Sequence, residues 1–472
     1  MKRRNFLQAG TLAALTGAFA SPAILTGCNE VDSKKRQNQA KNIIFMVSDG
    51  MSIGTPVMAD LLLQRKTGTG SCWIDLYKTG KANRAFMDTA SADSLVTDSA
   101  AGSSSWGGGK KVKNGRLNVN ADGSFNKPIL QKFKEAGKSV GCVTTVPITH
   151  ATPAGFCVNK KTRSAQDEIA SDYLNLKFDV MMGGGMEYFD GTKRADKKNI
   201  FPDFSSNGFQ VVHTKSEMEN TAVGKPVLGV FSKDGLPYSV DLKSDAELEA
   251  KIPSLAEMTK KAISLMQQNN EGFVLQVEGG KVDWAAHAND AAALIYDQIA
   301  FDEAVAAAIA FAESRDDTLV VITTDHGNSN PGLIKSSNVN KKFDLMQTAK
   351  NSNEWVLHGI RKSDKPSHVI ERLNYAQGIT ISQDEAKSIL KHYDSMENDG
   401  LYNDYKLPYL QLAEIQHNYT SIYWSGMNHS ADYVELAMFG PGSEALPTFV
   451  KNSDLHNFML EVAGLPESVW AV

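Results

Sequence analysis

The stretch NIIFMVSDG, residues 42–50, decides the fold class. Its run Ile43–Val47 is entirely apolar and leads directly into Ser48, Asp49 and Gly50. A short apolar run of this kind predicts a strand that is buried on both faces of a parallel sheet. Further runs of the same type predict strands at residues 139–146, 178–182, 272–277, 318–324 and 436–439.

Helical patterns separate these predicted strands, for example at residues 294–314, where apolar residues recur with helical spacing. The alternation predicts an α/β fold, with a largely parallel central sheet and helices on both faces. In such sheets, ligands bind beyond the carboxyl ends of the strands. Polar residues follow three predicted strands at that position, namely Asp49, Glu278, Asp325 and His326.

Two segments interrupt the alternation. Residues from about 187 to 250 are polar and rich in loop-forming residues. Residues from about 330 to 425 hold one helical piece, SQDEAKSILKHYDSM, between segments rich in Asn and Lys. Strand-end motifs lie on both sides of each segment, so we expect two insertions into a single domain that spans residues 42–472.

The composition is that of a globular protein. The chain has 472 residues, of which 42% are hydrophobic and 22% are charged, so it can form a large core. Its net charge of −5 gives no reason to expect nucleic-acid binding.

Residues 1–27 predict an export signal, because a basic start is followed by an apolar stretch too short and broken to span a membrane. Arg3 and Arg4 resemble a twin-arginine signal. The sequence LTGC resembles a lipobox, so Cys28 is expected to carry a lipid; the alternative is an ordinary cleaved signal with an incidental Cys. Residues 28–41 are mostly polar and are expected to act as a tether. We therefore expect an exported protein, periplasmic or in the cell envelope, attached to a membrane only through this lipid anchor.

Three cysteines remain beyond Cys28, namely Cys72, Cys142 and Cys157. They allow at most one bridge, and Cys142 and Cys157 are the closer pair in sequence. Their spacing is not that of a zinc finger or a C-x-x-C motif. Metal ligands are therefore expected among carboxylates and imidazoles.

Several such residues have a suggestive spacing. Asp283 and His287 would share one face of a helix, although such a pair taken alone is more often a surface contact. Asp325 and His326 directly follow a predicted strand, where an unpartnered buried charge would be costly, so they indicate a metal more specifically. His429 is a single histidine and indicates little alone.

The stretch LVTDSAAGSSSWGGGKK, residues 95–111, places Asp98 and Ser99 before a run of small residues. Asp98 is typical of a helix N-cap, and Gly107–Gly109 would end the helix. The stretch alone is consistent with an ordinary helix start or a loop.

Six segments, in this order along the chain, resemble the alkaline phosphatase family. They are VSDGM at 47–51, VTDSAAGSSSWGGGKKVKNG at 96–115, THATPAGF at 149–156, VEGGKVDWAAH at 277–287, TTDHG at 323–327 and NHSADY at 428–433. The resemblance runs from residue 42 nearly to the C-terminus, apart from the two insertions. It implies hydrolysis of phosphate monoesters with broad specificity, and it implies a possible homodimer.

The resemblance also implies the ion sites. These are a zinc site at Asp283, His287 and His429; a second zinc site at Asp49, Asp325, His326 and Ser99; and a third site, usually for magnesium, at Asp49, His150, Thr152 and Glu278. His150 and Trp284 stand where the best-known bacterial member has Asp and Lys, which leaves the identity of the third ion open.

The same resemblance makes Ser99 the nucleophile that becomes phosphorylated, and Arg163 the phosphate-binding arginine. Asp98 is expected to orient the site by holding Arg163. Two alternatives are a phosphodiesterase or a sulfatase of the same superfamily, although the sulfatase motif is absent around Ser99. A third is a lipoprotein that binds phosphate without catalysis.

Overall fold

The computed structural model describes residues 39–396 and 406–465, so the predicted signal and Cys28 lie outside the described residues. Its main feature is a sheet of ten strands in the order β14-β2-β13-β8-β1-β7-β3-β4-β6-β5. The strands are β1 (Asn42–Val47), β2 (Asn83–Asp88), β3 (Ser139–Pro147), β4 (Val180–Gly184), β5 (Gln210–Val212), β6 (Val227–Val230), β7 (Phe273–Glu278), β8 (Thr318–Thr323), β9 (Gly327–Asn328), β10 (Gly332–Leu333), β11 (Ile422–Tyr423), β12 (His429–Ser430), β13 (Val434–Phe439) and β14 (Phe449–Lys451).

Helices cover both faces of this sheet, and a further group of helices forms a core of its own. They are α1 (Gly54–Thr67), α2 (Cys72–Lys78), α3 (Ser99–Gly108), α4 (Ile129–Glu135), α5 (Ala151–Cys157), α6 (Gln166–Leu176), α7 (Phe201–Ser206), α8 (Lys215–Glu219), α9 (Ser239–Ser244), α10 (Ala246–Lys251), α11 (Leu255–Met266), α12 (Lys281–His287), α13 (Ala291–Glu313), α14 (Val339–Phe343), α15 (Asn353–His358), α16 (Pro366–Gln377), α17 (Gln383–Tyr393), α18 (Tyr409–Thr420) and α19 (Asp454–Val462). Within the described ranges, no helix is both long and apolar enough to cross a membrane.

Strand β1 lies near the centre of the sheet and pairs in parallel with β7 on one side and β8 on the other. Its residues alternate between two hydrophobic cores. Ile44 and Met46 pack into one core, whereas Ile43, Phe45 and Val47 pack into the other. The predicted α/β fold with a largely parallel sheet is confirmed; β13 runs antiparallel to both of its neighbours.

The segment from about 187 to 250 differs from the loop-rich insertion that we expected. Strands β5 and β6 fall within it and extend the sheet beyond β4 by parallel pairing. These strands are only three and four residues long, and short runs give a weak periodic signal. Part of this segment therefore belongs to the central sheet.

The segment from about 330 to 425 is also more regular than expected. It holds α14–α18, and most of these helices share a hydrophobic core of their own, apart from the cores on the sheet. The one helical piece seen in the sequence forms α17. That helix begins with a capping box in which Ser382 and Glu385 exchange hydrogen bonds with the backbone.

Helices α3 and α5 approach closely because glycines lie at their contact. A Cβ atom on Gly107 would lie 2.0 Å from the Gly155 carbonyl oxygen, and one on Gly155 would lie 2.1 Å from Ser103 Oγ. Ser103 Oγ also donates a hydrogen bond of 2.9 Å to the Ala151 carbonyl oxygen. This packing holds α3 closely against α5.

Cys142 in β3 and Cys157 at the end of α5 are both buried, and their sulfur atoms lie 3.7 Å apart. The pair that is closer in sequence is therefore also adjacent in space. Both residues are free thiols in this structure, and Cys72 is free as well.

Candidate active site

Three neighbouring strands deliver acidic residues to one edge of the sheet. The parallel register places Val47 of β1 beside Glu278 of β7 and beside Thr323 of β8. Asp49 and Asp325 each follow two residues after the end of their strand. The predicted ligands with carboxylate or imidazole groups form three clusters, at Asp283, His287 and His429; at Asp49, Asp325 and His326; and at Asp49, His150 and Glu278.

The first cluster joins two histidines to Asp283. The Nε2 atoms of His287 and His429 lie 3.1 Å apart, and they are 3.5 Å and 3.6 Å from the Asp283 carboxylate oxygens. The opposite nitrogen, Nδ1, faces a backbone carbonyl oxygen in each ring, that of Met427 for His287 and that of Thr97 for His429. Donation from Nδ1 leaves both Nε2 atoms as lone-pair acceptors, which is the arrangement of metal-binding histidines.

The second cluster contains Asp49, Asp325 and His326. His326 Nε2 lies 3.5 Å from Asp49 Oδ1 and 3.4 Å from Asp325 Oδ2. Its Nδ1 is 3.3 Å from the Gly327 carbonyl oxygen. Ser99 Oγ lies 3.3 Å from His326 Nε2, so the predicted nucleophile borders this cluster. The rings of His326 and His429 stack at 3.7 Å, which makes the first two clusters neighbours.

The third cluster lies around Glu278. Thr144 Oγ1 donates to one Glu278 oxygen at 2.5 Å, and Thr152 Oγ1 donates to Asp49 Oδ2 at 3.2 Å. The other Glu278 oxygen and His150 Nδ1 are buried and have no hydrogen-bond partner. Buried polar atoms without partners are rare in folded proteins, because their desolvation is not compensated.

The electrostatics of these clusters favour bound cations. Burial, followed by repulsion from Asp325 and Asp283, raises the pKa of Asp49 well above its ordinary value. Burial also raises the pKa of Glu278 to about 8. Asp49 Oδ1 and Asp325 Oδ2 are buried without partners, as is one oxygen of Glu278. Carboxylates and lone-pair nitrogens that converge without donors fit divalent metal ions.

A set of hydrogen bonds connects the start of α3 to Arg163. Asp98 caps α3 by accepting from the Ala101 backbone N–H at 2.9 Å. Its other oxygen accepts from Arg163 Nη1 at 3.1 Å, so the expected contact between Asp98 and Arg163 is present. Arg163 Nη2 lies 2.9 Å from His150 Nε2. Burial alone would raise the pKa of the Asp98 carboxyl. The Arg163 guanidinium and the backbone N–H donors outweigh burial, so the pKa of Asp98 is lower than its ordinary value. Burial and the neighbouring Arg163 lower the pKa of His150 to about 3.

Sequence reasoning missed several residues that support these clusters. Asn328 Nδ2 donates to Asp283 Oδ1 at 2.8 Å, and its position two residues after His326 was an available signal. Thr144 is a polar residue inside an apolar strand, opposite Glu278 in the parallel register. Lys281 Nζ lies over the rings of Tyr238 and Trp284, and Trp284 packs edge-on against His150. Tyr238 is distant from Lys281 in the sequence, so this contact could not be predicted from residue spacing.

The family model for alkaline phosphatase matches residues 40–465 of the chain. The chain belongs to the alkaline phosphatase family. It is 29% identical over 469 residues to alkaline phosphatase 4 of Bacillus subtilis, covering 98% of this chain and 97% of that one. It is also 29% identical over 366 residues to alkaline phosphatase of Escherichia coli, covering 67% and 78% of the two chains. The crystal structure of Thermus thermophilus alkaline phosphatase matches with a TM-score of 0.83 at 29% identity, covering 94% of this chain and 96% of that one.

Membership of the alkaline phosphatase family makes this chain a phosphoric monoester hydrolase. The family is metal-dependent, in agreement with the three clusters of potential ligands. The conserved architecture extends over the whole central sheet of the described residues, because the match to the Thermus enzyme covers nearly the full length of both chains.

We expect the stability of this alkaline phosphatase, once stripped of metal by a chelator, to fall as the pH rises from about 5 to 8. Burial raises the pKa of Glu278 from 4.5 to about 8, so the folded chain retains a proton that the unfolded chain releases. The melting temperature, measured with and without chelator across this pH range, checks the expectation. Glu278→Gln should reduce the slope of the chelated protein, and a slope unchanged by this substitution would contradict the account.

Proposed function

We propose that this chain hydrolyses phosphate monoesters through a phosphoserine at Ser99, at a centre of two zinc ions and one magnesium ion. The observation that carries the proposal is the position of Ser99. It begins α3, and its Oγ lies 3.3 Å from His326 Nε2. Ser99 also follows Asp98, which holds Arg163 at 3.1 Å. A hydroxyl therefore lies beside a candidate metal cluster and next in sequence to the carboxylate that holds a guanidinium group.

The proposed ion sites follow the three clusters of ligands. One zinc would be held by Asp283, His287 and His429; the second by Asp49, Asp325, His326 and Ser99; and the magnesium by Asp49, His150, Thr152 and Glu278. When bound, these ions supply positive charge that polarises phosphate oxygens and favours the alkoxide form of the serine. While His150 Nε2 accepts from Arg163, the neutral ring carries its proton on Nδ1, so His150 would bind the third ion only if that contact with Arg163 breaks. An imidazole ligand at this site would favour zinc over magnesium.

The residues of the chain would perform the remaining tasks. Ser99 Oγ attacks the phosphorus atom, the ester oxygen leaves with the bonding electron pair, and the phosphoserine forms. Water then attacks the phosphoserine, releasing inorganic phosphate and restoring Ser99. The N-terminus of α3 favours negative charge at this position, because helix N–H groups and the helix dipole attract anions.

Arg163 would bind the non-bridging phosphate oxygens. A guanidinium has five N–H donors, and the contacts with Asp98 and His150 occupy two of them. The remaining donors can form two parallel hydrogen bonds to a phosphate. Such binding favours a dianionic terminal phosphate over a diester or a sulfate, which supports the monoesterase proposal over those alternatives.

We expect Ser99→Ala to lower kcat for p-nitrophenyl phosphate by at least about 10³-fold, because it removes the nucleophile. Arg163→Ala should lower kcat/KM about 10- to 100-fold, the value of charged hydrogen bonds worth ~1.5–3 kcal/mol. The assays should be run with added zinc and magnesium, and they should include bis-p-nitrophenyl phosphate and p-nitrophenyl sulfate.

Two substitutions provide matched controls for that experiment. Ser105 Oγ bonds only within α3, to the Ala101 carbonyl oxygen, and Arg116 Nη1 donates to the Asn120 carbonyl oxygen. Ser105→Ala and Arg116→Ala should retain activity within about threefold. Better turnover of the diester or the sulfate would contradict the monoesterase proposal, as would full activity of Ser99→Ala.

We also propose that the chain is exported to the periplasm or cell envelope, anchored by a lipid on Cys28, and a homodimer. The paired arginines at positions 3 and 4 support export, and the sequence LTGC at residues 25–28 supports the lipid anchor. The homodimer is supported by the resemblance to the alkaline phosphatase family. Cys28→Ala should move the protein from the membrane fraction to the soluble fraction, whereas the control Cys72→Ala should not. Soluble wild-type protein without lipid would contradict the anchor, and a monomer on ultracentrifugation would contradict the homodimer.

A further inference from the structure

The loop after α3 carries a residue that the proposed mechanism does not use. Asn114 is exposed, and it lies in the sequence KKVKNG that follows the glycines at the end of the helix. Its side chain nevertheless bonds to the chain segment just before Ser99. We propose that Asn114 is a positioning residue for phosphate binding, acting through Asp98 on Arg163. This inference rests on the proposed function of Arg163.

The side-chain amide of Asn114 binds the backbone on both sides of Thr97. Its Oδ1 accepts from the Asp98 backbone N–H at 3.2 Å, and its Nδ2 donates to the Val96 carbonyl oxygen at 3.0 Å. One amide therefore satisfies a donor and an acceptor of the same short segment, as a neighbouring strand would do. The Asn114 backbone N–H is itself held, because it donates to Asp93 Oδ1 at 3.0 Å.

The next residue connects this segment to Arg163. The Gly115 N–H donates to Asp98 Oδ2 at 3.0 Å, and the Gly115 carbonyl oxygen accepts from the Arg163 backbone N–H at 2.8 Å. Gly115 has a φ of 80°, a conformation that other residues rarely adopt. The pair Asn114–Gly115 thus contacts the backbone of Asp98, its carboxylate and the backbone of Arg163.

The carboxylate of Asp98 is oriented by these contacts. Its Oδ2 receives both the Gly115 N–H and Arg163 Nη1, while its Oδ1 caps α3. Loss of the Asn114 amide would free the Asp98 backbone, and the carboxylate would then hold the guanidinium in a broader range of positions. Asn114 buries no apolar core, so its removal should alter phosphate binding without a large change in global stability.

The test uses the zinc- and magnesium-loaded full chain and compares Asn114→Ala with Asn120→Ala. Asn120 bonds Ser124 and Asn126 within the next loop, so it is a matched amide without contact to Asp98. We expect Asn114→Ala to raise both the KM for p-nitrophenyl phosphate and the inhibition constant of inorganic phosphate about three- to tenfold, with kcat changed less than about twofold. The control should change each constant less than about 1.5-fold.

A double-mutant cycle separates positioning from a general structural effect. If Asn114 acts through Arg163, Asn114→Ala should raise the inhibition constant of inorganic phosphate less than about twofold in an Arg163→Ala background. An effect of the same size in both backgrounds would overturn the proposal. So would an unchanged phosphate inhibition constant with weaker zinc binding, because Thr97 also bonds His429 and the effect would then lie at that cluster.

Two further results keep the inference separate from the proposed function. If Arg163→Ala alone leaves phosphate inhibition unchanged, the proposed role of Arg163 fails and the role of Asn114 fails with it. If Arg163→Ala weakens inhibition and Asn114→Ala does not, only the positioning role fails. Asn114→Ser, which keeps a small polar side chain in the loop, serves as a second variant and should shift the phosphate constant in the same direction.

Discussion

The repulsion between buried carboxylates at the ends of adjacent strands is the constraint on which this structure depends. Asp49, Glu278, Asp283 and Asp325 are all almost fully buried at one edge of the sheet. Buried charges are costly unless they are paired or bind metal ions. The hydrophobic packing of the sheet holds these groups together despite that cost, so the core maintains a cluster of negative charge that favours cation binding.

Neighbouring backbone groups and helices orient the side chains of this site. Backbone carbonyl oxygens accept from the Nδ1 atoms of His287 and His429, so their Nε2 atoms face Asp283. Ser99, at the start of α3, borders the second cluster. The proposed nucleophile, the candidate ligands and the guanidinium are therefore held by separate elements of the fold, which suits a reaction that depends on positioning charge.

The sequence predicted the parts of the molecule whose signals are local. The strands that carry Asp49, Glu278 and Asp325 at or just after their ends are long, mostly apolar runs, and the parallel sheet brings these ends together. The strands within residues 187–250 were missed because their apolar runs are short. Asn328 and Asn114 were missed because their roles depend on contacts between distant segments, which residue type and spacing do not specify.

X-ray diffraction from zinc-grown crystals, measured on both sides of the zinc absorption edge, tests the central claim most directly. The account predicts two anomalous peaks, one among Asp283, His287 and His429 and the other beside Asp49 and Asp325. Well-ordered crystals without a peak at either cluster, or with zinc bound only at surface residues, would contradict the claim that the buried carboxylates form a metal centre.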